Sequence, residues 1–522
     1  MKSRTAAAAL ALAVTLCCCS APNAQRAAIP ETPSYGYQRT AIPAEYTDVS
    51  YNPWDVEEAA SQTPEQPLRR HTVLIYMNGS DLESETGAAT VDIREITGSG
   101  FDQDEVNVLL FTGGANRWVT PAIPEWECTL TLVSDGELRR IAGVGQRNMG
   151  DAGTLAAFLL YAHECFPADR TSLILWDHGG GTIAGYGADE HFADGNLTLR
   201  ELEYAFYKAG LADRKLEMLG FDACLMATAE VAVTASGYAE WLVASEALEP
   251  QGGWDYAALR WLGSHPDANG EEFGRAITDA YIASAGIFPW DELSLSVTRL
   301  DVSAALMGAL GVLADRMLAD VATDAGFFKL RTVRANTKTF GDGTPFDAEC
   351  DMADIYDLAR RLRAYYPDEV RAVTDALSRA VVYSRDTSSS RLGGLTAYFI
   401  FGDRADPYAA LGVYRSLGMS DKYTLLQSEF AAKLYASNRD PEPGTRRAEI
   451  FGETAALYEI AAPDGGGMYA ARAYVNGQPA SLVVWFPEGN SDGELLGYRK
   501  CDGWLIQKGF IPLEDSDFVE LP

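Results

Sequence analysis

The sequence is poor in cysteine, in histidine and in positive charge. Its 522 residues hold 8 cysteines and 5 histidines. Three of the cysteines are consecutive, Cys17-Cys18-Cys19, and the other five, Cys128, Cys165, Cys224, Cys350 and Cys501, are scattered. That odd set, without a C-x-x-C pair, excludes a disulfide framework and a zinc site of the usual spacing. Lys and Arg total 42 against 74 Asp and Glu, a net charge of −32. This excludes a nucleic-acid binder, which needs a basic surface to displace counterions. It also argues against adsorption to anionic lipid through the protein surface. A G-x-S-x-G elbow, an H-E-x-x-H helix, a Walker loop and a G-x-G-x-x-G after a strand are all missing. No stretch beyond the N-terminus runs to the roughly 18 apolar residues of a membrane-spanning helix. Disorder as the main theme is excluded by 47% hydrophobic and 11% aromatic content with only 22% charge.

At about 150 residues per domain the chain suggests two to four domains. Residues 1–18 read as a signal peptide: Lys2 and Arg4 precede an apolar run from Ala6 to Leu16 that is too short to span a bilayer. Leu16 lies three residues before Cys19, so the segment resembles the lipobox of bacterial lipoproteins. Cys19 is the expected lipidation site, with Cys17 as an alternative acceptor, although Cys18 stands where a small residue is usual. The expected location is therefore the cell envelope, through a lipid anchor alone, or the exterior by plain secretion. Residues 19–67 lack periodicity and read as a tether.

From Arg69 onward apolar strands alternate with helical patterns. Strands are expected at His71–Met77, Val106–Phe111, Ser172–Trp176, Leu216–Phe221 and Trp241–Ser245, and a hairpin is expected to turn at Asp135-Gly136. Helices are expected at Leu82–Ile96, Asp151–Phe166, Leu199–Ala209 and from Cys224 to about Ser236. The fold class is therefore α/β, a mostly parallel sheet with helices on both faces. Residues 68–260 form its core. Residues 261–438 continue the mixed pattern, with a helix expected at Ala304–Leu318, another at Met352–Tyr365 and a strand at Leu395–Phe401. After a Pro- and Gly-bearing boundary at 439–445, residues 446–522 read as a small all-β domain, with Asn476-Gly477 as a hairpin turn.

Ligands of such sheets bind beyond the carboxyl ends of the strands. His178 and Cys224 each sit just past such an end. Three glycines follow His178 and would let a substrate backbone approach closely. Cys224 is placed in the first turn of a helix, where the macrodipole and free N–H groups would favour its thiolate. Alone, Cys224 is more often a buried small hydrophobe, Asp222 a helix N-cap, and His178 a turn residue. Together, a histidine and then a cysteine 46 residues later on consecutive core strands point to acyl transfer.

The segments His71-Thr-Val-Leu-Ile-Tyr-Met-Asn-Gly, Ile174-Leu-Trp-Asp-His178-Gly-Gly-Gly and Gly220-Phe-Asp-Ala-Cys224-Leu-Met resemble the clostripain family of cysteine peptidases. Weaker likeness extends the match over roughly residues 70–435. The resemblance implies a caspase-like fold, Cys224 as nucleophile and His178 as its proton-handling partner. It also implies an oxyanion site from the backbone N–H groups of Gly179 and Cys224, and cleavage after Arg or Lys with Asp222 in the primary specificity pocket. The expected partners are peptide or protein substrates bearing Arg or Lys. No cofactor is required by this chemistry. Some members of the family need calcium, which the acidic loop Asp189–Gly195 would suit, although it matches no EF-hand spacing. Self-cleavage between His178 and Cys224, another family trait, would have to use Arg200, Lys208, Arg214 or Lys215, because residues 179–199 carry no basic residue. A binding protein on an inactive peptidase scaffold and a cysteine transpeptidase are the alternatives.

Overall fold

The computed structural model describes residues 49–193, 195–283, 292–341, 351–401 and 407–437, with the backbone of seven further strands between Arg446 and Leu521. The central sheet comprises β1 (Arg69–Asn78), β2 (Val106–Gly113), β3 (Thr129–Ser134), β4 (Glu137–Gly143), β5 (Ala168–Trp176), β6 (Leu216–Asp222), β7 (Ala239–Ala244) and β8 (Ser294–Arg299). Two short strands, β9 (Thr339–Phe340) and β10 (Met352–Asp354), precede its ninth strand, β11 (Val381–Asp386). The strand order is β11-β8-β7-β6-β5-β1-β2-β3-β4. The five strands from β7 to β2 run parallel, and both flanks are antiparallel.

The parallel strands are buried on both sides, which explains their near-continuous apolar sequences. On one face Leu74, Tyr76, Leu173, Leu175, Leu219 and Phe221 pack under the helices Ala152–Cys165, Leu199–Lys208 and Ala229–Ala235. On the other, Val73, Ile75, Ile174, Trp176 and Met218 meet the helices Ala88–Gly98, Ala258–Ser264 and Gly270–Ala283. The period of two along each strand thus divides one apolar run between two cores. The hairpin expected at Asp135-Gly136 is present, with Ser134 paired to Glu137 and both turn residues at positive φ.

Several boundaries differ from the sequence reading. Leu82–Ile96 is broken: a π-helical turn at Leu82–Thr86 ends at Gly87, whose φ of 74° starts a separate helix at Ala88. The expected helix Met352–Tyr365 opens as β10 and becomes helical only from Ile355. Leu395–Phe401 contributes only Thr396–Tyr398, which is β12. One described helix, Leu300–Val321, does have the length and apolarity to cross a bilayer. Here it is a core helix, with Leu306, Met307, Leu310, Leu313 and Met317 buried. The C-terminal strands form a seven-stranded antiparallel sheet, and Val475 pairs with Gln478 across the Asn476-Gly477 turn, which itself lies outside the described residues.

Residues 49–67, read as tether, join the fold. A helix spans Val56–Ser61, and Trp54 is buried with its ring stacked 5.9 Å from Phe111. Asp151 caps the next long helix by accepting from the N–H groups of Gly153 and Thr154, and it also holds Ser50 and Asn52. Trp54→Ala should lower the unfolding free energy by about 3–5 kcal/mol, the usual cost of emptying a buried aromatic site. Urea denaturation checks this; an unchanged midpoint would return the segment to the status of a tether.

Candidate active site

Strands β5 and β6 are parallel neighbours, and their register ends on the pair Trp176–Asp222. His178 lies two residues past the first of these and Cys224 two residues past the second. The sheet therefore delivers both side chains to the same edge on adjacent strands. The two turns touch: a Cβ on Gly179 would lie 1.9 Å from the Cys224 carbonyl oxygen, so only glycine fits there. The N–H groups of Gly179 and Cys224 donate to no other residue among those described.

Two carboxylates that the sequence reading missed hold the histidine side. Asp177 is fully buried and accepts from Asn78 Nδ2, Ser80 Oγ and the Ala188 N–H, each at 2.6 Å. It ties the end of β1 to both ends of the loop that carries His178. Burial pushes its carboxyl up to about 6, against the opposing charge of His178 and these hydrogen bonds. Asp81, from the loop after β1, accepts from His178 Nε2 at 2.7 Å. Partial burial would raise the Asp81 carboxyl, but the hydrogen bond and charge of His178 hold it below the usual range. A carboxylate has no proton to give, so Nε2 is the donor and Nδ1 is the nitrogen left for other chemistry.

Cys224 is not in a helix. It occupies a turn with Leu225 at φ 66°, and the helix starts only at Ala229, capped by Thr228. The expected lowering of its thiol by a helix terminus therefore fails. Burial pushes the thiol up to about 12, opposed by the Glu249 N–H, which donates to Sγ at 3.2 Å. Asp222 likewise caps no helix. It is 5% exposed, accepting at Oδ1 from the Trp254 N–H (3.1 Å) and at Oδ2 from the Tyr256 hydroxyl (2.9 Å). Burial raises its carboxyl to about 6. Gly253, at φ 52°, lies against it: a Cβ there would stand 2.9 Å from Asp222 Oδ1 and 3.3 Å from Asp92 Oδ2. No described residue forms an ion pair with Asp222, Asp92 or Glu249.

The calcium expectation finds no support in the loop. Asp189 accepts from the N–H groups of Met149 and His191, and Glu190 from Ser84 and Asn116. Asp194 lies outside the described residues. Among the described residues no group of three or more His, Cys, Asp or Glu could hold a metal ion. The other histidines have structural surroundings. His71 meets the Pro266 carbonyl, His191 the Ala115 carbonyl and His265 the Trp261 carbonyl, while burial lowers His163 to about 4. Cys128, Cys165 and Cys224 are free thiols, whereas Cys19, Cys350 and Cys501 lie outside the described residues. Of the basic residues between His178 and Cys224, Arg200 and Lys208 lie in a helix, while Arg214 and Lys215 are exposed just before β6.

A central parallel sheet with histidine and cysteine past the ends of adjacent strands defines a caspase-like α/β fold. The clostripain family model matches residues 75–396, and the chain belongs to that family. Clostripain from Hathewaya histolytica is 25% identical over 203 residues, which are 34% of this chain and 38% of that protein. The chain thus matches well under half the length of that relative. Two solved structures share the fold. One is a secreted cysteine protease from Bacteroides thetaiotaomicron in complex with an irreversible peptide inhibitor (17% identity, TM-score 0.51). The other is an inactive zymogen protease from Parabacteroides distasonis (19% identity, TM-score 0.50). Each alignment covers 69% of this chain and 99% of the other.

A thiol raised this far is almost wholly protonated at neutral pH. Iodoacetamide should therefore alkylate Cys224 in the ligand-free protein at least about tenfold more slowly at pH 7.5 than it alkylates free cysteine, whose pKa is about 8.5. The rate should still be climbing at pH 10. Mass spectrometry of the Cys224 peptide reads both; a rate that levels off near pH 7 would contradict the half-buried, neutral thiol.

Proposed function

We propose that the chain is a cysteine endopeptidase that cleaves after Arg or Lys through an acyl-enzyme intermediate. The observation that carries this reading is the shared end of β5 and β6, which sets His178 beside Cys224 with Asp222 buried two residues before the thiol. Cys224 Sγ gives up its proton to His178 Nδ1 as it attacks the scissile carbonyl. The free N–H groups of Gly179 and Cys224 receive the developing oxyanion, where fixed donors act most strongly. His178, held through Nε2 by Asp81, uses Nδ1 to protonate the leaving amine and then to activate the hydrolytic water. Asp81 is a positioning residue in this scheme.

The specificity follows from charge. A buried carboxylate without a cationic partner is costly, and a guanidinium or ammonium supplies the missing charge-assisted hydrogen bonds. Neutral side chains leave Asp222 unpaired and are discriminated against strongly. The net charge of −32 would also draw basic substrates toward the molecule.

The test compares the protein with Cys224→Ala and Asp222→Asn on fluorogenic peptides ending in Arg, Lys, Asp, Asn or Ala. Cleavage after Arg or Lys should vanish in Cys224→Ala. In Asp222→Asn it should fall by about 10²–10⁴-fold, the range lost when a site-built polar contact is removed. Cleavage after Asp or Asn would keep the mechanism and discard the pocket. No cleavage by any form would leave the scaffold as a binding protein, and ligated products with an added amine acceptor would make it a transpeptidase.

We further infer export to the envelope with a lipid on Cys19. Cys19→Ser should move the protein from the membrane to the soluble fraction, and unchanged membrane association would refute the anchor.

A further inference from the structure

The loop that follows β7 brings one residue to both halves of the site. Glu249 donates its backbone N–H to Cys224 Sγ at 3.2 Å, while its carboxyl lies against that of Asp222. Glu249 Oε1 accepts from Trp254 Nε1 at 3.4 Å, and Oε2 is enclosed with no donor beyond the hydrogen bond the Glu249 carboxyl makes with that of Asp222. Asp92, 1% exposed, repeats the pattern. Its Oδ2 accepts from Trp176 Nε1 at 2.6 Å, and its Oδ1 is enclosed without a partner. Asp222 thus has an enclosed carboxyl on either hand, Asp92 beside it at Gly253 and Glu249 in contact with it. The titratable neighbours facing them are Glu83, Glu95, Tyr256 and the Cys224 thiol, none of which supplies positive charge. Enclosed acceptors without donors are rare, and each needs a physical reason. The simplest reason is a ligand that carries several N–H donors and one positive charge.

We propose that Glu249 is a second specificity-determining residue, which grips the basic side chain of the substrate together with Asp222 and occupies that side chain's place while the pocket is empty. The inference rests on the pocket reading under Proposed function. In the empty pocket two carboxyl groups in contact cannot both ionise, so one proton lies between them. Burial and the Asp222 charge hold Glu249 well above the usual carboxylate range, which makes Glu249 the proton's main holder. When a guanidinium enters, that O–H bond breaks and the proton leaves to solvent. One positive charge replaces another, and both carboxylates become acceptors. A guanidinium presents five donors in a planar fork and spans two carboxylates, whereas an ammonium is a compact point charge. The pocket therefore favours Arg over Lys. Because the Glu249 backbone rests on the thiol, movement of this residue also uncovers Sγ.

Glu249→Gln separates these roles, since an amide reproduces the shape and the donor of a protonated carboxyl but cannot ionise. The intact protein and the variant are assayed on paired peptides ending in Arg and in citrulline, its neutral isostere. The variant should lose at least about tenfold in kcat/KM on Arg, the scale of one charged contact, with citrulline turnover changed less than about twofold. Its thermal midpoint should stay at the wild-type value. Equal losses on both peptides would mean that Glu249 acts through the thiol or the fold, and no loss on either would mean that it is a spectator. Each result overturns the proposal. Failure of the wild-type protein to cut any peptide would be a failure of the peptidase reading instead. Calorimetric binding of arginine amide to Cys224→Ala protein, with and without Glu249→Gln, then decides the pocket alone. At least about tenfold weaker binding in the double variant supports the proposal, and equal binding by both proteins, or none by the Cys224→Ala protein itself, refutes it.

Discussion

Everything at the site depends on the parallel pairing of β5 with β6, which end together at Trp176 and Asp222. A parallel ladder fixes not only which strands are neighbours but how far each one reaches. A slip of one residue would turn every side chain to the opposite face and send His178 and Cys224 into different layers. The register is secured by burial on both faces. Ile174, Trp176 and Met218 belong to one core, and Leu173, Leu175, Leu219 and Phe221 to the other. The juxtaposition of His178 and Cys224 is thus a by-product of packing several residues away.

The loops beyond the strand ends are held by carboxylates rather than by apolar contacts. Asp177 gathers Asn78, Ser80 and Ala188, so that the β1 loop and the His178 loop are tied together. Asp81 then reaches His178 from the β1 loop. Asp222 gathers Trp254 and Tyr256 in the same way on the cysteine side. Buried acids lower stability unless their oxygens are satisfied. Asp177 has three donors, whereas Asp92 retains an enclosed oxygen without one and Glu249 faces another acid. That contrast separates a scaffold role from a binding role: unsatisfied groups survive where a ligand completes them.

The alternation of apolar strands and helices was legible throughout the core, because each parallel strand is buried on both faces and each helix on one. His178 and Cys224 were legible because both follow such strands directly. The misreadings share a cause. The sequence places Cys224 in the first turn of a helix, yet the chain turns there with Leu225 at φ 66° and the helix waits until Ala229. The stretch from Tyr51 to Gln66 has no period, yet Trp54 finds its place against Phe111, a partner distant in sequence. Asp81, Asp92, Asp177 and Glu249 carry no local mark, because a carboxylate is a common surface residue and their partners lie far away in the chain.

What the sequence determined alone was the architecture and the placement of His178 and Cys224, since both follow from local hydrophobic period and from position at a strand end. The tertiary structure decided the ionisation and the company of those side chains. Burial, rather than a helix dipole, sets the Cys224 thiol, and Asp81 selects the free nitrogen of His178. Glu249 meets Asp222 only because the loop after β7 folds back over the end of β6. Proton affinities depend on distance and solvent exclusion between groups far apart in the chain, and neither quantity exists until the chain is packed.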